Sequence, residues 1–181
     1  MRKYIALLRG INVGGKNKVS MKELKEGWEN NGFEDVESYI NSGNILFSSE
    51  HSELDFLKNR CEALILEQFK IHISVMVISV GDFMEALNAA PGWWDTDKES
   101  KHNGIFVIAP MTVEEVIEAA GESKPEYEKV AHYGQLIFWS AKLETFSKTR
   151  WSKVVAFAHY DSITIRNANT LKKLMHLCQL K

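Results

Sequence analysis

The predicted order of strands and helices occurs twice along the chain, and this repetition restricts the fold more than any other feature. In residues 1–80, apolar periodicity and capping signals predict strand, helix, strand, strand, helix and strand in turn. The predicted strands of this half are Lys3–Leu8, Val36–Ile40, Ile45–Ser48 and Ile73–Val80. The same order returns later, with strands predicted at Ile105–Ala109, Tyr127–Tyr133, Gln135–Ser140 and Ile163–Arg166. Only the order of elements repeats, because the residue identities of the two halves differ.

The repeated order is that of the ferredoxin-like split βαβ unit, in which hairpins and crossovers build one sheet. We therefore predict an α+β fold of two tandem ferredoxin-like repeats with antiparallel sheets. The first unit is predicted to cover residues 1–80 and the second residues 103–181, which include a C-terminal helix from about Thr170 to Leu180. Residues 81–102 are predicted to form a linker with a short helix and a loop that carries two tryptophans.

A glycine-rich loop, RGINVGGKNKVS at residues 9–20, follows the first predicted strand. It contains the P-loop pattern Gly-x-x-x-x-Gly-Lys, but Asn17 stands where a P-loop has the Ser or Thr that binds magnesium. Ser20 and Glu23 form a predicted capping box, so the helix begins four residues after Lys16, whereas the P-loop lysine lies at the helix start. Because the predicted hairpins also give an antiparallel sheet, the loop is not predicted to belong to a P-loop NTPase.

The same loop is instead predicted to form an anion-binding site. Loops of this kind often build concavities of backbone N–H groups that hold anions. A right-handed crossover makes the first two predicted strands parallel, so the turn after the second strand lies at the same sheet end as the loop. The predicted ligand-binding residues at this end are Arg9, Asn12, Gly14, Gly15, Lys16, Lys18, Ser42, Gly43 and Asn44. The alternative is a structural loop in which glycine supplies positive φ and lysine supplies solubility.

A second polar set is predicted in the second half of the chain. Its predicted ligand-binding residues are Ser147, Lys148, Arg166 and Asn167. The first two open a predicted helix that runs to about Ala158, and the last two follow the final strand, so both pairs are expected at one sheet end. Asn169 and Thr170 are predicted as helix caps, whereas the guanidinium of Arg166 suits phosphate or planar anions. Whether the two polar sets face each other depends on how the repeats dock, which the sequence leaves open.

Basic residues concentrate at the two ends of the chain. Residues 1–25 hold seven Lys or Arg and one acidic residue, and residues 142–181 hold eight and two, whereas the segment between them has a net charge of −14. Two basic ends around an acidic middle are compatible with one positive face formed by both ends, and the alternative is that these charges solvate separate surfaces. The expected partner is therefore a phosphate-bearing small molecule or RNA, with no membrane partner, and a protein partner is left open.

Neither a cofactor nor a metal site is predicted. The six histidines show no metal-ligand spacing. The two cysteines, Cys61 and Cys178, fall at apolar positions of predicted helices, and we expect them to be reduced and buried. Reduced cysteines favour the cytosol, and no apolar run approaches the length of a membrane span.

The glycine loop and three further segments, VESYINSGNILFSS, FSKT and ITIRNANTLKKL, closely resemble the bacterial family known as domain of unknown function 1697. The resemblance covers nearly the whole chain and implies two ferredoxin-like halves. It implies no chemistry, because the family has no established activity. The family pattern falls on Arg9, Gly10, Asn12, Gly14, Gly15, Lys16, Lys18, Ser42, Gly43, Asn44, Ser147, Lys148, Arg166, Asn167, Asn169 and Thr170. Where many relatives have Ser-Lys-Leu, this chain has Thr149 in the third position.

Three functions stay open at this point. The first is binding of a phosphate-bearing ligand, a nucleotide or RNA, by the basic residues of the two polar sets. The second is an enzyme acting on such a ligand with Lys148 or Ser147 as the chemical group, although the sequence offers no evident general base. The third is an interaction module that docks a partner through the acidic middle or through Trp93 and Trp94, a pair that more often pins a linker onto a core.

Overall fold

The chain forms two compact units, residues 1–83 and 84–181. A computed structural model describes residues 1–156 and 160–180, with the backbone alone at residues 155, 156 and 160. Within that described part the backbone forms eight strands, five α-helices and three short 3-10 segments. The α+β class is thereby confirmed, with two sheets of four antiparallel strands each.

The first unit contains sheet 1, whose strands are ordered β2-β3-β1-β4. Its elements are β1 (Arg2–Leu8), α1 (Met21–Asn30), β2 (Glu34–Tyr39), β3 (Asn44–Ser49), α2 (Leu54–Phe69) and β4 (Val75–Ser79). Helix α3 (Val80–Asn88) follows β4, and the boundary between the units falls within it. All four strands begin and end within two residues of their predicted limits, because their apolar periodicity and flanking turns are strong local signals.

One face of sheet 1 packs against α1 and α2. Alternate residues of β1, including Tyr4 and Leu8, share a buried cluster with Trp28 of α1 and Leu57 of α2. This alternation follows from the period of two in a strand, which sends every second side chain to the same face. Cys61 of α2 lies in the same cluster with no exposed surface, as predicted.

The second unit contains sheet 2, whose strands are ordered β6-β7-β5-β8. Its elements are β5 (Ser100–Val107), α4 (Val113–Ala120), β6 (Glu128–Tyr133), β7 (Leu136–Lys142), β8 (Ile163–Asn167) and α5 (Ala168–Gln179). The 3-10 segments are Phe146–Lys148, Trp151–Ala156 and Tyr160–Ser162. Strand β5 begins five residues earlier than predicted, since its polar start pairs with the end of β7.

The two faces of sheet 2 carry different helices. On one face, Val116 of α4 and Trp151 of the second 3-10 segment share a buried cluster with Ile105 and Trp139 of the sheet. On the other face, Leu171 of α5 packs against the backbone of β5 at Gly104. Residues of a strand alternate between these faces, so side chains near the end of β8 divide between them.

The α-helix predicted from Ser147 is wrong for the part of the segment that the structure describes. Residues 146–148 and 151–156 are 3-10 turns separated by an extended Thr149, and Ala158, the predicted helix end, lies outside the described residues. The buried carboxylate of Glu128 accepts the backbone N–H groups of Arg150 and Trp151 at 2.8 and 3.1 Å. Those amides are therefore taken by a side chain instead of by carbonyls of an α-helix.

The cap predicted for the final helix is also corrected. Asn167 is the N-cap of α5, because its side-chain oxygen accepts the backbone N–H of Thr170 at 2.8 Å. Asn169 and Thr170 lie inside the first turn of the helix instead of capping it. The Asn at the strand exit thus ends β8 and starts α5 in one step, which is the usual role of Asn at an N-cap.

The two sheets share the same backbone contacts at the end of their central strand. In sheet 1, Leu8 N–H donates to the β2–β3 turn at Gly43 (2.8 Å), and the next amide donates to Ser74 before β4 (3.0 Å). In sheet 2, Val107 N–H donates to the β6–β7 turn at Gln135 (2.9 Å), and the next amide donates to the residue before β8 (2.7 Å). In both sheets the end of the central strand therefore meets the same two connections.

Candidate functional site

The glycine loop after β1 folds into a tight hairpin, which we call the glycine hairpin (Asn12–Asn17). Val13 and Lys16 form its inner pair, with a hydrogen bond of 3.1 Å from Lys16 N to Val13 O. Gly14 and Gly15 have φ of +58° and +77°, as a type I′ turn requires at both central positions. The glycine-lysine motif is therefore a hairpin tip, and α1 begins only at Met21. The prediction that it is not a P-loop is confirmed.

Asn12 anchors the base of the glycine hairpin. Its side-chain nitrogen donates to Val19 O and to Asn41 O, both at 2.9 Å, and its side-chain oxygen accepts Val19 N–H at 2.9 Å. The amide of Asn17 adds a bond of 3.2 Å to Gly10 O. These bonds hold the loop in one conformation and join it to the β2–β3 turn, as predicted from topology.

The β2–β3 turn packs directly beneath the loop. A Cβ atom at Gly43 would lie 2.7 Å from Leu8 Cβ and 2.8 Å from Ile11 Cδ1. The side-chain nitrogen of Asn44 donates to Tyr39 O at 2.9 Å and to Ser42 Oγ at 3.1 Å. Gly43 and Asn44 are buried, so their observed contacts shape the turn, and the ligand-binding role predicted for Ser42–Asn44 stays a prediction.

Three connections meet at this end of sheet 1, and their charged residues are all basic. They are residues 9–20, the turn at 40–43 and residues 70–74 between α2 and β4. We call their cationic and imidazole side chains the basic rim, which consists of Arg9, Lys16, Lys18, Lys70 and His72. All five are exposed except Arg9, which is half-buried. None of the three connections contains an acidic residue, so the rim forms a local positive field.

Lys70 and His72 of the basic rim were not among the residues predicted from the sequence. They follow α2, far from the glycine loop in sequence, and reach the rim because β4 pairs directly with β1. Arg9 N–H donates to Ser74 O at 3.0 Å, which fixes this third connection beside the loop. The signal was available in principle, since a ferredoxin-like order predicts that the fourth strand lies beside the first.

The positive charge of the rim contrasts with neighbouring parts of the fold. Outside the three connections, Glu62 of α2 carries a negative charge near the rim, and its carboxylate accepts Val75 N–H at 3.0 Å. The opposite end of sheet 1 has mixed charges, because Arg2 and Lys3 are accompanied there by Glu50 and Glu53. In sheet 2 the equivalent connections are residues 108–112, 134–135 and, in the described part, 160–162, and they carry one charge, an aspartate.

In the second polar set, Arg166 lies on the face of sheet 2 opposite to Phe146, the residue that precedes Ser147 and Lys148. Strands β7 and β8 both run antiparallel to β5 and end at the same edge of the sheet. Ser147 and Lys148 are exposed and follow Phe146, which packs on the α4 face. Arg166 pairs with Gly104 and therefore lies on the face that α5 covers. Arg166 therefore shares a sheet end with Ser147 and Lys148 but lies on the face opposite to Phe146.

Arg166 is held inside the second unit. Its Nη1 donates to Thr164 Oγ1 and to Ile165 O, both at 2.9 Å, and the residue is 7% exposed. Burial lowers the pKa of Arg166 to about 10, because desolvation disfavours the charged form. Together with Asn167, which caps α5, this guanidinium has an evident local function, and its predicted ligand role stays a prediction.

A cleft in the second unit was not predicted from the sequence. Its volume is about 800 Å³, and it is bordered by residues 95–98, the start of β5 and the first turn of α5. His102 borders it from β5, with Nδ1 accepting Asp95 N–H at 3.0 Å and Nε2 lying 3.0 Å from Asp97 O. Lys172 closes the other side through an ion pair of 2.6 Å with Asp95.

These contacts hold the loop that carries Trp93 and Trp94 against sheet 2. Trp94 donates from Nε1 to Asn103 O at 3.0 Å and meets Phe138 edge-on, so its predicted role in pinning the linker is confirmed. Ser140 Oγ lies 2.6 Å from His102 Nδ1. Because the single lone pair of that nitrogen already faces a backbone N–H, the imidazole is not placed as a base for this hydroxyl.

The chemistry of the remaining reactive groups is restricted by burial and spacing. Among the described residues, no group of three or more His, Cys, Asp or Glu side chains is arranged to hold a metal ion. Burial raises the pKa of the Cys61 thiol far above its ordinary value, with the nearby Glu62 adding to the shift, which keeps the sulfur in the unreactive thiol form. Across the described part of the chain, no helix has the length and apolar character needed to cross a bilayer.

Comparison with known proteins identifies relatives but no activity. A family model described as "Protein of unknown function (DUF1697)" matches residues 1–138. A solved structure, that of the conserved bacterial protein SP0830 from Streptococcus pneumoniae, is similar with a TM-score of 0.86 and 36% sequence identity, covering 98% of each chain. No curated protein matches the sequence significantly.

Proposed function

The chain belongs to the DUF1697 family of proteins of unknown function, and from the charges at the end of sheet 1 we propose that it binds a phosphate-bearing ligand, a nucleotide or RNA, at the basic rim. The observation that carries this proposal is the meeting of three connections whose charged residues are all basic. Lys16 lies on the exposed glycine hairpin and Lys18 directly follows it, and backbone hydrogen bonds already order the hairpin. Binding therefore costs little backbone entropy at this site, because the loop need not fold around its ligand.

The internal comparison of the two sheets supports a functional origin for these charges. We propose that the units are tandem ferredoxin-like repeats, since both have the strand order expected of that unit and equivalent contacts at the central strand. The backbone contacts at this strand end then need no basic residues, because the described residues of the equivalent connections in sheet 2, 108–112, 134–135 and 160–162, contain none. We therefore attribute the basic residues of the rim to the binding of an anion. The proposal retains the cytosol as the site of this binding.

The test is a titration of wild type and of a rim variant with ATP and with a short mixed-sequence RNA. Lys16→Gln/Lys18→Gln removes two charges without touching the hairpin backbone. An exposed ion contact contributes roughly 0.7 kcal/mol, so losing two should weaken binding about tenfold. Lys129→Gln/Lys173→Gln is the matched control, because it removes two exposed charges from the second unit, and it should bind like wild type.

Each outcome of this titration assigns a function class. Equal weakening in both double variants would show dependence on net charge alone and would refute a site at the rim. Turnover of a bound phosphorylated ligand, lost in Lys148→Ala while binding persists, would establish an enzyme. A protein partner that binds wild type and the rim variant equally, with no response to either phosphate ligand, would establish an interaction module and contradict the proposal.

A further inference from the structure

Three amide side chains around the glycine hairpin are engaged with the protein itself, whereas Asn41 of the β2–β3 turn is exposed. The side-chain nitrogens of Asn12, Asn17 and Asn44 each donate to backbone carbonyl groups of the loop or the adjoining turn. Asparagine usually identifies a base by placing this amide against the base edge. Here that contact would require breaking the bonds that order the hairpin and the turn. These three amides are therefore committed to structure and not to recognition of a base.

The basic rim has no aromatic residue within its three connections, and the two that directly flank them, Tyr39 and Phe69, are half-buried. Residues 9–20, 40–43 and 70–74 contain no Phe, Tyr or Trp, and the tip of the hairpin is Gly14-Gly15, which has no side chain. Proteins that recognise unpaired bases normally stack them on aromatic side chains. The imidazole of His72 is the single ring in these three connections, and it gives the experiment below a specific variant.

The remaining cationic groups of the rim are the half-buried guanidinium of Arg9 and three exposed ammonium groups on long stems. Lys16, Lys18 and Lys70 are exposed, and a lysine ammonium acts as a hydrated point charge that suits phosphate without fixing its orientation. A mononucleotide offers such a surface only one cluster of phosphates and leaves its base unrecognised. A strand offers successive phosphates, so several lysines bind at once and release several counterions.

We infer that the ligand of the basic rim is a nucleic-acid strand, bound through its phosphodiester backbone without regard to base sequence. This inference rests on the proposed function and narrows it, because it excludes a nucleotide recognised by its base. The ordered hairpin positions the strand, and the lysines of the rim attract it. Contacts of this kind fix a protein on a strand but carry no sequence information.

The experiment measures binding of oligouridine and oligoadenosine of equal length, and of ATP, over a range of salt concentrations. We expect the two homopolymers to bind within about threefold of each other and ATP to bind at least about tenfold more weakly, as backbone contacts require. The slope of log K against log salt should become about 1.4 less steep in Lys16→Gln/Lys18→Gln, since each phosphate contact on a single strand contributes about 0.7. The Lys129→Gln/Lys173→Gln control should keep the wild-type slope.

Failure of this inference is distinguishable from failure of the proposed function. A preference of about tenfold or more for one homopolymer, or ATP binding as tight as the homopolymers, would overturn sequence-independent backbone binding while rim-dependent binding stood. His72→Ala should change the affinity for both homopolymers equally, and a loss confined to one of them would reveal base stacking and overturn the inference. If no probe responds to the rim lysines, the proposed function is refuted, and the inference with it.

Discussion

Adding one methyl group at Gly43 should strongly destabilise the first unit. Gly43 has φ of +79°, and the new Cβ would lie 2.7 Å from Leu8 Cβ and 2.8 Å from Ile11 Cδ1. Both neighbours are fully buried, so neither can move into solvent. The left-handed backbone costs an alanine about 1 kcal/mol, and forcing the methyl group into a packed region costs about 2 kcal/mol more.

The expected loss for Gly43→Ala is therefore about 3 kcal/mol, which lowers the melting temperature by about 9 °C in a chain of this size. Gly14→Ala is the matched control, because Gly14 has φ of +58° but no atom within 4 Å of its added Cβ. That variant should lose only the backbone contribution of about 1 kcal/mol. Calorimetry and urea denaturation of both variants measure the difference. Equal destabilisation would show that the close packing of the turn beneath the loop contributes nothing and would refute this reasoning.

Three further predictions concern hydrogen bonding and reactivity. Asn12→Ala removes three hydrogen bonds and should cost about 2 kcal/mol in urea denaturation; an unchanged midpoint would mean that the anchor is not needed. Glu128→Gln places an NH₂ group among the four N–H donors of this buried carboxylate and should cost about 2 kcal/mol, whereas exposed Glu126→Gln should stay within about 0.5 kcal/mol of wild type; similar effects of the two would count against the buried network. Because burial raises the pKa of Cys61, iodoacetamide should modify half-buried Cys178 and spare Cys61 in the native protein at neutral and mildly alkaline pH; peptide mapping that finds Cys61 alkylated first would contradict this.

Local sequence signals identify the strands better than the segment after β7. Strand β1 is predicted from Lys3 and observed from Arg2, because its apolar run ends at a glycine-rich loop. The helix predicted from Ser147 fails because of a distant residue, since Glu128 on β6 binds two of the backbone amides in that segment. No local sequence pattern indicates such a contact between distant residues. It depends on the pairing of β6 with β7 and on the burial of the Glu128 carboxylate.

The candidate site was also predictable only in part, because some of its residues are marked by a local sequence pattern and others are brought in by strand order. Arg9, Lys16 and Lys18 belong to one glycine-rich loop of the sequence, residues 9–20, which identifies them as candidates. Lys70 and His72 belong to the rim only because β4 lies beside β1, so their positive charge is added by strand order. Asn12 was predicted to bind ligand, whereas its observed contacts order the hairpin. A residue type suited to binding is often equally suited to holding a loop, and hydrogen-bond partners distinguish the two roles.

Comparing the connections at the end of β1 and of β5 distinguishes the features that the strand contacts require from those that they do not require. In both, the amide at the end of the central strand bonds to a hairpin turn and the next amide bonds to the connection before the last strand. Sheet 2 achieves this with a loop of five residues, 108–112, whereas sheet 1 uses twelve, 9–20. The additional length forms the ordered, exposed glycine hairpin, and its charged residues are all basic. Since a shorter and uncharged connection suffices for the same strand contacts, the hairpin and its lysines are the part of this sheet end whose removal should affect ligand binding more than folding.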